Sequence, residues 1–161
     1  MSLPSIDIEE VLSDDVPMDL LLLADPSEGK VRSYLPSSRC FVALSEGTVV
    51  GVCAVQARER GTYELMNIAV RQGHQGHGIG SKLLAWVVEI FRRSGAEQLE
   101  VGTGTVGYQL AFYQRQGFRV TGIDRDFFLR NYGEPIYEEG VRLVDMLRLT
   151  LTYNDPPARI G

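Results

Sequence analysis

Alternating and continuous apolar runs divide the first half of the chain into strands and turns. Residues 6–11 alternate apolar and polar side chains, which predicts a first strand. Two β-branched apolar runs, at 40–44 and 49–57, flank a short segment that contains a glycine, and this pattern predicts a hairpin. A further strand is expected at 63–70, after a turn around Gly61. The early part of the chain therefore predicts antiparallel pairing.

Helical patterns become frequent in the second half. The longest predicted helix runs from about Gly80 to Ser94, with Leu83, Val87 and Phe91 at intervals of four residues. The other helices are expected within 14–25, 26–35 and 108–116. Later strands are expected at 97–103, 118–123 and 142–151, and the end at 154–161 is expected to be frayed. Strands that begin as hairpins and later alternate with helices predict a mixed α/β sheet.

Size, charge and cysteine content narrow the class of protein. The 161 residues, 44% hydrophobic and 23% charged, predict a single globular domain over 1–161. No apolar run is long enough to cross a membrane, and the first residues lack a secretory signal, so a cytoplasmic location without membrane association is expected. The net charge of -5 disfavours nucleic-acid binding. Cys40 and Cys53 are expected to be reduced core thiols, with a disulfide as the less favoured alternative.

A glycine-rich loop joins the strand at 63–70 to the longest helix. Glycines 76, 78 and 80 lie within five residues of each other. Amides at a helix N-terminus converge on anions, and glycine lets a ligand approach the backbone closely. The loop therefore predicts a site for a phosphate or pyrophosphate.

Two common nucleotide motifs do not fit this loop. Gly73 and Gly78 have the spacing of a P-loop, but Ile79 occupies the position of its lysine. The third glycine of a dinucleotide fingerprint would have to lie one residue later than Gly80. A second segment, at 102–107, does have the GxGxxG spacing with an acidic residue roughly 20 positions on. Too few βαβ units follow it for a dinucleotide-binding domain, so this interpretation is not favoured.

The loop also contains the Gln/Arg-x-x-Gly-x-Gly/Ala pattern, formed by Gln75, Gly78 and Gly80. With the upstream stretch "NIAV" and the downstream stretch "AFYQRQGF", the sequence resembles the GCN5-related N-acetyltransferase (GNAT) superfamily over about residues 40 to 120. The end of the chain resembles a bacterial branch of that family. The resemblance implies a mostly antiparallel central sheet flanked by helices and acetyl-CoA as the co-substrate.

The same resemblance implies where the donor would bind. The pyrophosphate of acetyl-CoA would contact the loop amides, and the pantetheine arm would pair with the preceding strand. Many family members also have an asparagine seven residues before the conserved tyrosine, a position that Val106 occupies here. The expected cofactor-binding residues are Ile68, Ala69, Val70, Gln75, Gly76, His77, Gly78, Ile79, Gly80 and Ser81.

Three residues are candidates for acid–base catalysis. Tyr113 matches the family's general acid, and a phenol suits protonation of a departing thiolate. Simple packing beside Phe112 and Phe118 is the alternative. Glu64 and Glu100 compete as the base that takes a proton from the attacking amine, and for each an ion pair or a solvated strand face is the alternative.

The acceptor is expected to be a small-molecule or peptide amine. The resemblance assigns acceptor recognition to about residues 14–36 and to residues 124–140, which fit no helix or strand pattern well and could form a substrate loop. An acidic cluster there suits a cationic amine or is simply solvated; it comprises Asp124, Asp126, Glu134, Glu138 and Glu139. His74 and His77 make a poor metal site, so no metal is expected. A homodimer and a catalytically silent acyl-CoA sensor remain open alternatives.

Overall fold

The computed structural model describes residues 5–153. Its strands are β1 (Ile6–Val11), β2 (Ser38–Ser45), β3 (Thr48–Ala57), β4 (Thr62–Val70), β5 (Gln98–Thr103), β6 (Arg119–Asp124), β7 (Tyr137–Glu138), β8 (Val141–Arg142) and β9 (Met146–Thr152). Its helices are α1 (Met18–Ala24), α2 (Glu28–Tyr34), α3 (Ile79–Arg93), α4 (Gln109–Arg115) and α5 (Phe127–Asn131). The end at 154–161 that was expected to be frayed lies outside the described residues.

Seven strands form one sheet in the order β1-β2-β3-β4-β5-β9-β6, and β7 and β8 form a separate two-stranded ribbon. The pairs β1/β2, β2/β3, β5/β9 and β6/β9 are antiparallel. The predicted mixed α/β fold, with a mostly antiparallel sheet flanked by helices, is confirmed. No helix within residues 5–153 is long and apolar enough to cross a membrane.

The described chain divides into two compact units, of which the first comprises residues 5–57 and 64–90. Its core forms because α1 and α2 bury Leu20, Leu21 and Val31 against the apolar residues of β2 and β3, such as Val42 and Val52. α2 begins where the Ser27 hydroxyl accepts a hydrogen bond from the Lys30 amide at 3.3 Å. The two helices predicted before β2 are therefore confirmed.

The β2–β3 hairpin has the backbone that its sequence predicts. Glu46 and Gly47 both have positive φ, 50° and 78°, which is the requirement of a tight two-residue turn that matches strand twist. The register places Cys40 opposite Ala54 and Phe41 opposite Cys53. Because neighbouring residues of a strand face opposite sides, the two thiols lie on different faces of the sheet. Both cysteines are free and buried, as expected.

The second unit comprises residues 58–63 and 91–153. Leu99 and Val101 of β5 lie opposite Leu151 and Leu149 of β9, and all four side chains are at most 8% exposed. These pairs form one apolar face because residues directly opposite in an antiparallel pair share a side of the sheet. The alternate residues of β5 and β9 form a second, partly exposed face.

Two predictions for the end of the chain are wrong. Residues 124–140, which fitted no element pattern, contain α5 and the first strand of the β7–β8 ribbon. The strand expected at 142–151 begins only at Met146, because Val141 and Arg142 pair with β7 instead. A short ribbon depends on pairing between segments, and the local apolar pattern carries little information about such pairing.

A buried asparagine links β4 to the helices α1 and α2 of the first unit. Asn67 is 2% exposed, and its Nδ2 donates to the Leu21 carbonyl of α1 and to the Tyr34 hydroxyl of α2, each at 2.9 Å. Burial raises the pKa of Tyr34 to about 12, so its hydroxyl stays protonated at neutral pH. The buried Nδ2 requires such acceptors, since an unpaired buried donor is costly. The contact holds the ends of two helices against one position of β4.

We expect Asn67→Leu to lower the free energy of unfolding by roughly 1–3 kcal/mol, because it removes both hydrogen bonds while keeping a side chain of similar size. Tyr34→Phe removes only one of them and should cost about 0.5–1.5 kcal/mol. Urea unfolding followed by circular dichroism measures both values. Equal stability of wild type and Asn67→Leu would show that the contact does not hold the helices.

Candidate active site

The loop between β4 and α3 has the backbone of an anion-binding turn. Gly73, Gly76 and Gly78 have φ of 91°, 80° and 78°, values that L side chains rarely adopt. A Cβ at any of the three would meet no other atom within 4 Å, so conformation and not crowding explains the glycines. This space around the backbone is what a ligand needs in order to approach the loop amides.

The N-terminus of α3 adds amide donors to this loop. The first helical hydrogen bond within α3 runs from the Lys82 amide to the Gly78 carbonyl, at 3.0 Å. The amides of Ile79 and Gly80 precede that bond and have no acceptor inside the helix. The helix dipole adds partial positive charge at the same end. The Gln75 side chain donates to the Val70 carbonyl at 3.0 Å and so ties the loop back to β4.

A cation at the start of α3 was missed by the sequence analysis. Lys82 lies in the first turns of the helix, and the first turn contains no acidic residue. A lysine there opposes the helix dipole, and this is the signal that could have suggested an anionic ligand. Its Nζ donates to the Ile6 carbonyl at 2.9 Å. The lysine therefore adds positive charge near the loop.

A cavity of about 400 Å³ lies beside the loop within the first unit. It is lined by Ser5, Ile6, Ser45, Gly73, His74, His77, Ile79 and Lys82. His77 Nδ1 lies 3.4 Å from the His74 carbonyl, so its ring is oriented by the loop itself. Imidazoles, hydroxyls and an ammonium suit a phosphorylated ligand. Residues 5–153 contain no cluster of three groups suited to hold a metal ion.

Arg71, the residue after β4, ties the end of that strand to β3 and to α1. The Arg71 amide donates to the Val50 carbonyl at 2.7 Å, and its Nε donates to the Val49 carbonyl at 3.2 Å. The same guanidinium pairs with Asp19 of α1 at 3.0 Å. Together with Asn67, these contacts hold the backbone of Ile68–Val70, the segment predicted to bind the pantetheine arm.

Tyr113 lies in an aromatic cluster at the end of α4, within the second unit. Its side chain is 5% exposed, and its ring contacts Phe112 and Phe118 edge-on, with centroids 5.1 Å and 5.7 Å away. Its carbonyl accepts a hydrogen bond from the Phe118 amide at 3.2 Å, where Gly117 turns the chain with φ of 104°. The ring therefore has the packing role that the sequence offered as the alternative, and its catalytic role stays a prediction.

The two candidate bases have different surroundings. Glu100 lies on the partly exposed face of β5, and its Oε2 pairs with the Arg148 guanidinium at 3.4 Å. Its other oxygen accepts a hydrogen bond from Gln98 at 3.4 Å. The ion pair that the sequence offered as an alternative for Glu100 is therefore present. Glu64 lies in β4 and is half-buried, three residues before Asn67.

The second glycine-rich segment is filled by the protein itself. A Cβ at Gly102 would collide with the Met146 side chain, and one at Gly104 would lie 3.0 Å from Leu143. Gly107 has φ of 101°, and the Glu138 carboxylate lies 2.6 Å from where its Cβ would be. Burial raises the pKa of Glu138. A carboxylate in the place of a phosphate disfavours dinucleotide binding at this segment.

The acidic cluster of residues 124–140 is partly engaged in local contacts. Asp124 pairs with Arg130 of α5 at 2.5 Å. The Asp126 amide donates to the Asp145 carboxylate at 2.8 Å, and Asp126 has a positive φ of 62° that this contact supports. Part of the cluster therefore shapes the segment and is not simply solvated.

Comparison with known proteins agrees with this geometry. Residues 36–120 match the family model of the acetyltransferase (GNAT) domain. The uncharacterized N-acetyltransferase YvbK of Bacillus subtilis is 41% identical over 147 residues, which cover 91% of this chain and 94% of that protein.

Two solved structures are also similar along nearly their whole length. The IAA acetyltransferase of Bacillus cereus has a TM-score of 0.88 and 44% identity, covering 92% of this chain and 99% of that one. A GNAT family acetyltransferase of Elizabethkingia anophelis, solved with acetyl-CoA bound, has a TM-score of 0.87 and 38% identity, covering 91% and 97%. The chain therefore belongs to the GNAT family of acetyltransferases.

Proposed function

We propose that this protein moves the acetyl group of acetyl-CoA to a primary amine of a small molecule or peptide by direct attack in a ternary complex. The observation that carries the proposal is the loop before α3, where glycines of positive φ, helix amides and Lys82 suit a pyrophosphate. The similarity to a structure solved with acetyl-CoA supports the same donor. We also propose that residues 1–161 form a single domain and that the protein is cytoplasmic.

The donor would be held mainly by backbone groups. The amides of residues 75–81 would contact the pyrophosphate, with the Lys82 ammonium and the His77 ring beside them. The segment Ile68–Val70 would pair with the pantetheine arm as an added strand, and one of its amides would polarise the thioester carbonyl. The anchoring of β4 by Asn67 and Arg71 supports this role, because oxyanion donors act best when they are held in place before the reaction.

The reaction requires one bond to form and one to break. The neutral amine nitrogen attacks the thioester carbonyl carbon and forms a C–N bond, and the C–S bond then breaks. The amine gives up one proton to a base, and the departing thiolate takes one from an acid. We propose Tyr113 as that acid, because its hydroxyl is the phenol at the position that matches the family motif.

A covalent acyl-enzyme is not favoured by the two cysteines. Burial raises the pKa of Cys40 to about 11 and that of Cys53 still further. A thiol of raised pKa contains little of the thiolate that acts as nucleophile at neutral pH. Both residues also lie in the core of β2 and β3, away from the motifs that suggest catalysis. This supports direct transfer.

We propose Glu64 as the base, acting directly or through a water molecule. The position of Glu64 in β4, the strand whose Ile68–Val70 segment would pair with the pantetheine arm, supports this choice. The acceptor amine would be recognised by residues 14–36 and 124–140. The carboxylates of the second segment suit a cationic acceptor.

The first test concerns the donor site. Acetyl-CoA should raise the melting temperature of the wild type, since a ligand that binds the native state stabilises it. Gly78→Ala should weaken acetyl-CoA binding by roughly 5- to 30-fold, because a left-handed alanine costs about 1–2 kcal/mol. Isothermal titration calorimetry measures this, with Gly29→Ala in α2 as the matched control. Absence of any stabilisation by acetyl-CoA in the wild type would contradict the proposed donor.

The second test concerns Tyr113. Tyr113→Phe keeps the packed ring and removes only the hydroxyl, so we expect a loss of about 10²-fold or more in kcat with an unchanged Kd for acetyl-CoA. Tyr108→Phe, at a tyrosine that is 72% exposed, is the matched control. CoA release measured with a panel of amines gives the rates. Wild-type turnover in Tyr113→Phe would remove its role as acid, and binding without turnover by the wild type would favour the silent sensor.

The third test separates the two glutamates. Glu64→Gln should lower kcat about 10²-fold and flatten the acidic limb of the kcat/KM profile, because the proton acceptor is lost. Glu100→Gln should keep the profile and lose only the small stabilisation, about 0–1 kcal/mol, of a partly exposed ion pair. The opposite pattern in the pH–rate profiles would assign the base to Glu100.

A further inference from the structure

The strand β6 forms an open edge of the sheet. It pairs with β9 on one side, and no strand within residues 5–153 pairs with its other side. Its two apolar side chains, Val120 and Ile123, are 47% and 63% exposed. An exposed edge with apolar side chains and no proline is a template for pairing with another strand. This edge of β6 is therefore open to pairing with another strand.

A bulge gives β6 an unusual distribution of side chains. Val120 lies opposite Leu149 and Gly122 lies opposite Arg148, so Thr121 is an extra residue in the ladder. The Thr121 hydroxyl lies 2.8 Å from the hydroxyl of Thr150, on the polar face of β9. An extra residue shifts the alternation by one position beyond the bulge.

As a result, the charged and apolar side chains of β6 are distributed symmetrically about the middle of the strand. Arg119 and Asp124 lie on the polar face, opposite Thr150 and Met146, although an odd number of positions separates them. Val120 and Ile123 share the other face, opposite Leu149 and Leu147. Without the bulge, the members of each pair would lie on opposite faces of the sheet.

We infer that β6 is the docking surface for a second copy of this chain, which pairs with it in antiparallel orientation about a two-fold axis between Thr121 and Gly122. In that register Arg119 lies opposite Asp124 of the other copy, and Val120 lies opposite Ile123. Each match occurs twice, as two-fold symmetry requires. Opposite charges and β-branched pairs are favourable cross-strand neighbours.

The alternatives close to this register are poorer. Shifting the second copy by one residue in one direction puts Arg119 opposite Ile123 and Val120 opposite Gly122, so that neither match remains. In the symmetric register, Asp124 accepts contacts from Arg130 of its own chain and from Arg119 of the other. The Asp124 carboxylate is then shared between these two guanidiniums.

The same unit has further exposed apolar side chains. Leu129 of α5, the helix that follows β6 directly, is 46% exposed, and Tyr137 and Val141 of the ribbon are 64% and 46% exposed. A stable dimer usually buries about 1,200–2,000 Å² in total, more than a pair of six-residue strands provides alone. This dimer does not depend on the proposed acetyl transfer.

The test uses charge reversal in the full-length chain. The wild type should sediment as a dimer in analytical ultracentrifugation at micromolar concentration. Arg119→Asp places like charges opposite each other at both matches and should raise the dimer Kd at least about tenfold. Asp124→Arg should do the same. Asp7→Arg, at an exposed position on the other edge strand β1, is the matched control and should remain dimeric.

Mixing the two reversed variants gives the decisive result. In a mixture, the aspartate introduced in one variant lies opposite the arginine introduced in the other, and the remaining match keeps its native pair of opposite charges. Arg119→Asp and Asp124→Arg should therefore form a heterodimer, while each alone is monomeric. This outcome also shows that both variants are folded. A monomeric wild type, a dimer that survives Arg119→Asp, or a mixture that stays monomeric would each overturn the inference.

Discussion

The hydrogen bonds of one buried amide hold the first unit in its working arrangement. Asn67 is almost completely shielded from water, so its Nδ2 must find acceptors inside the protein. It finds them on two separate helices, at the Leu21 carbonyl and the Tyr34 hydroxyl. The strand β4, whose backbone would pair with the proposed donor, is therefore also the strand that contacts α1 and α2 through Asn67. The strand proposed to bind the donor and the two helices are therefore joined through the same residue.

The protein has two glycine-rich segments, and the physical reason for the glycines differs between them. At 73–78 the glycines allow positive φ in open surroundings, and the space around the backbone is available to a ligand. At 102–107 the glycines make room for the protein's own side chains, Met146, Leu143 and Glu138. Glycine indicates that a side chain is excluded, but the surrounding fold determines whether a ligand or another part of the chain takes that space. Only the first segment is suited to bind an anion.

The roles in this protein are divided between backbone and side chains. Backbone groups and a helix N-terminus suit the donor, which explains why that site constrains few residues besides glycines. The residues proposed for proton transfer are side chains on the strands and on α4. In the edge strand β6 a bulge places the charged and the apolar residues symmetrically, and the same six residues in a regular strand would not have that symmetry. The association proposed at β6 therefore uses a different element from the proposed donor binding and proton transfer.

The sequence by itself determined the elements whose patterns are local. The hairpin, the long helix, the loop glycines and the family resemblance could all be predicted, since apolar periodicity and positive φ are properties of short segments. Tertiary structure decided the rest. The ion pair of Glu100 with Arg148 joins residues 48 positions apart. Val141 and Arg142 pair with β7 in the ribbon and not with the last strand. Asn67 donates hydrogen bonds to two different helices. No short segment contains that information, because each of these contacts depends on which distant groups the fold brings together.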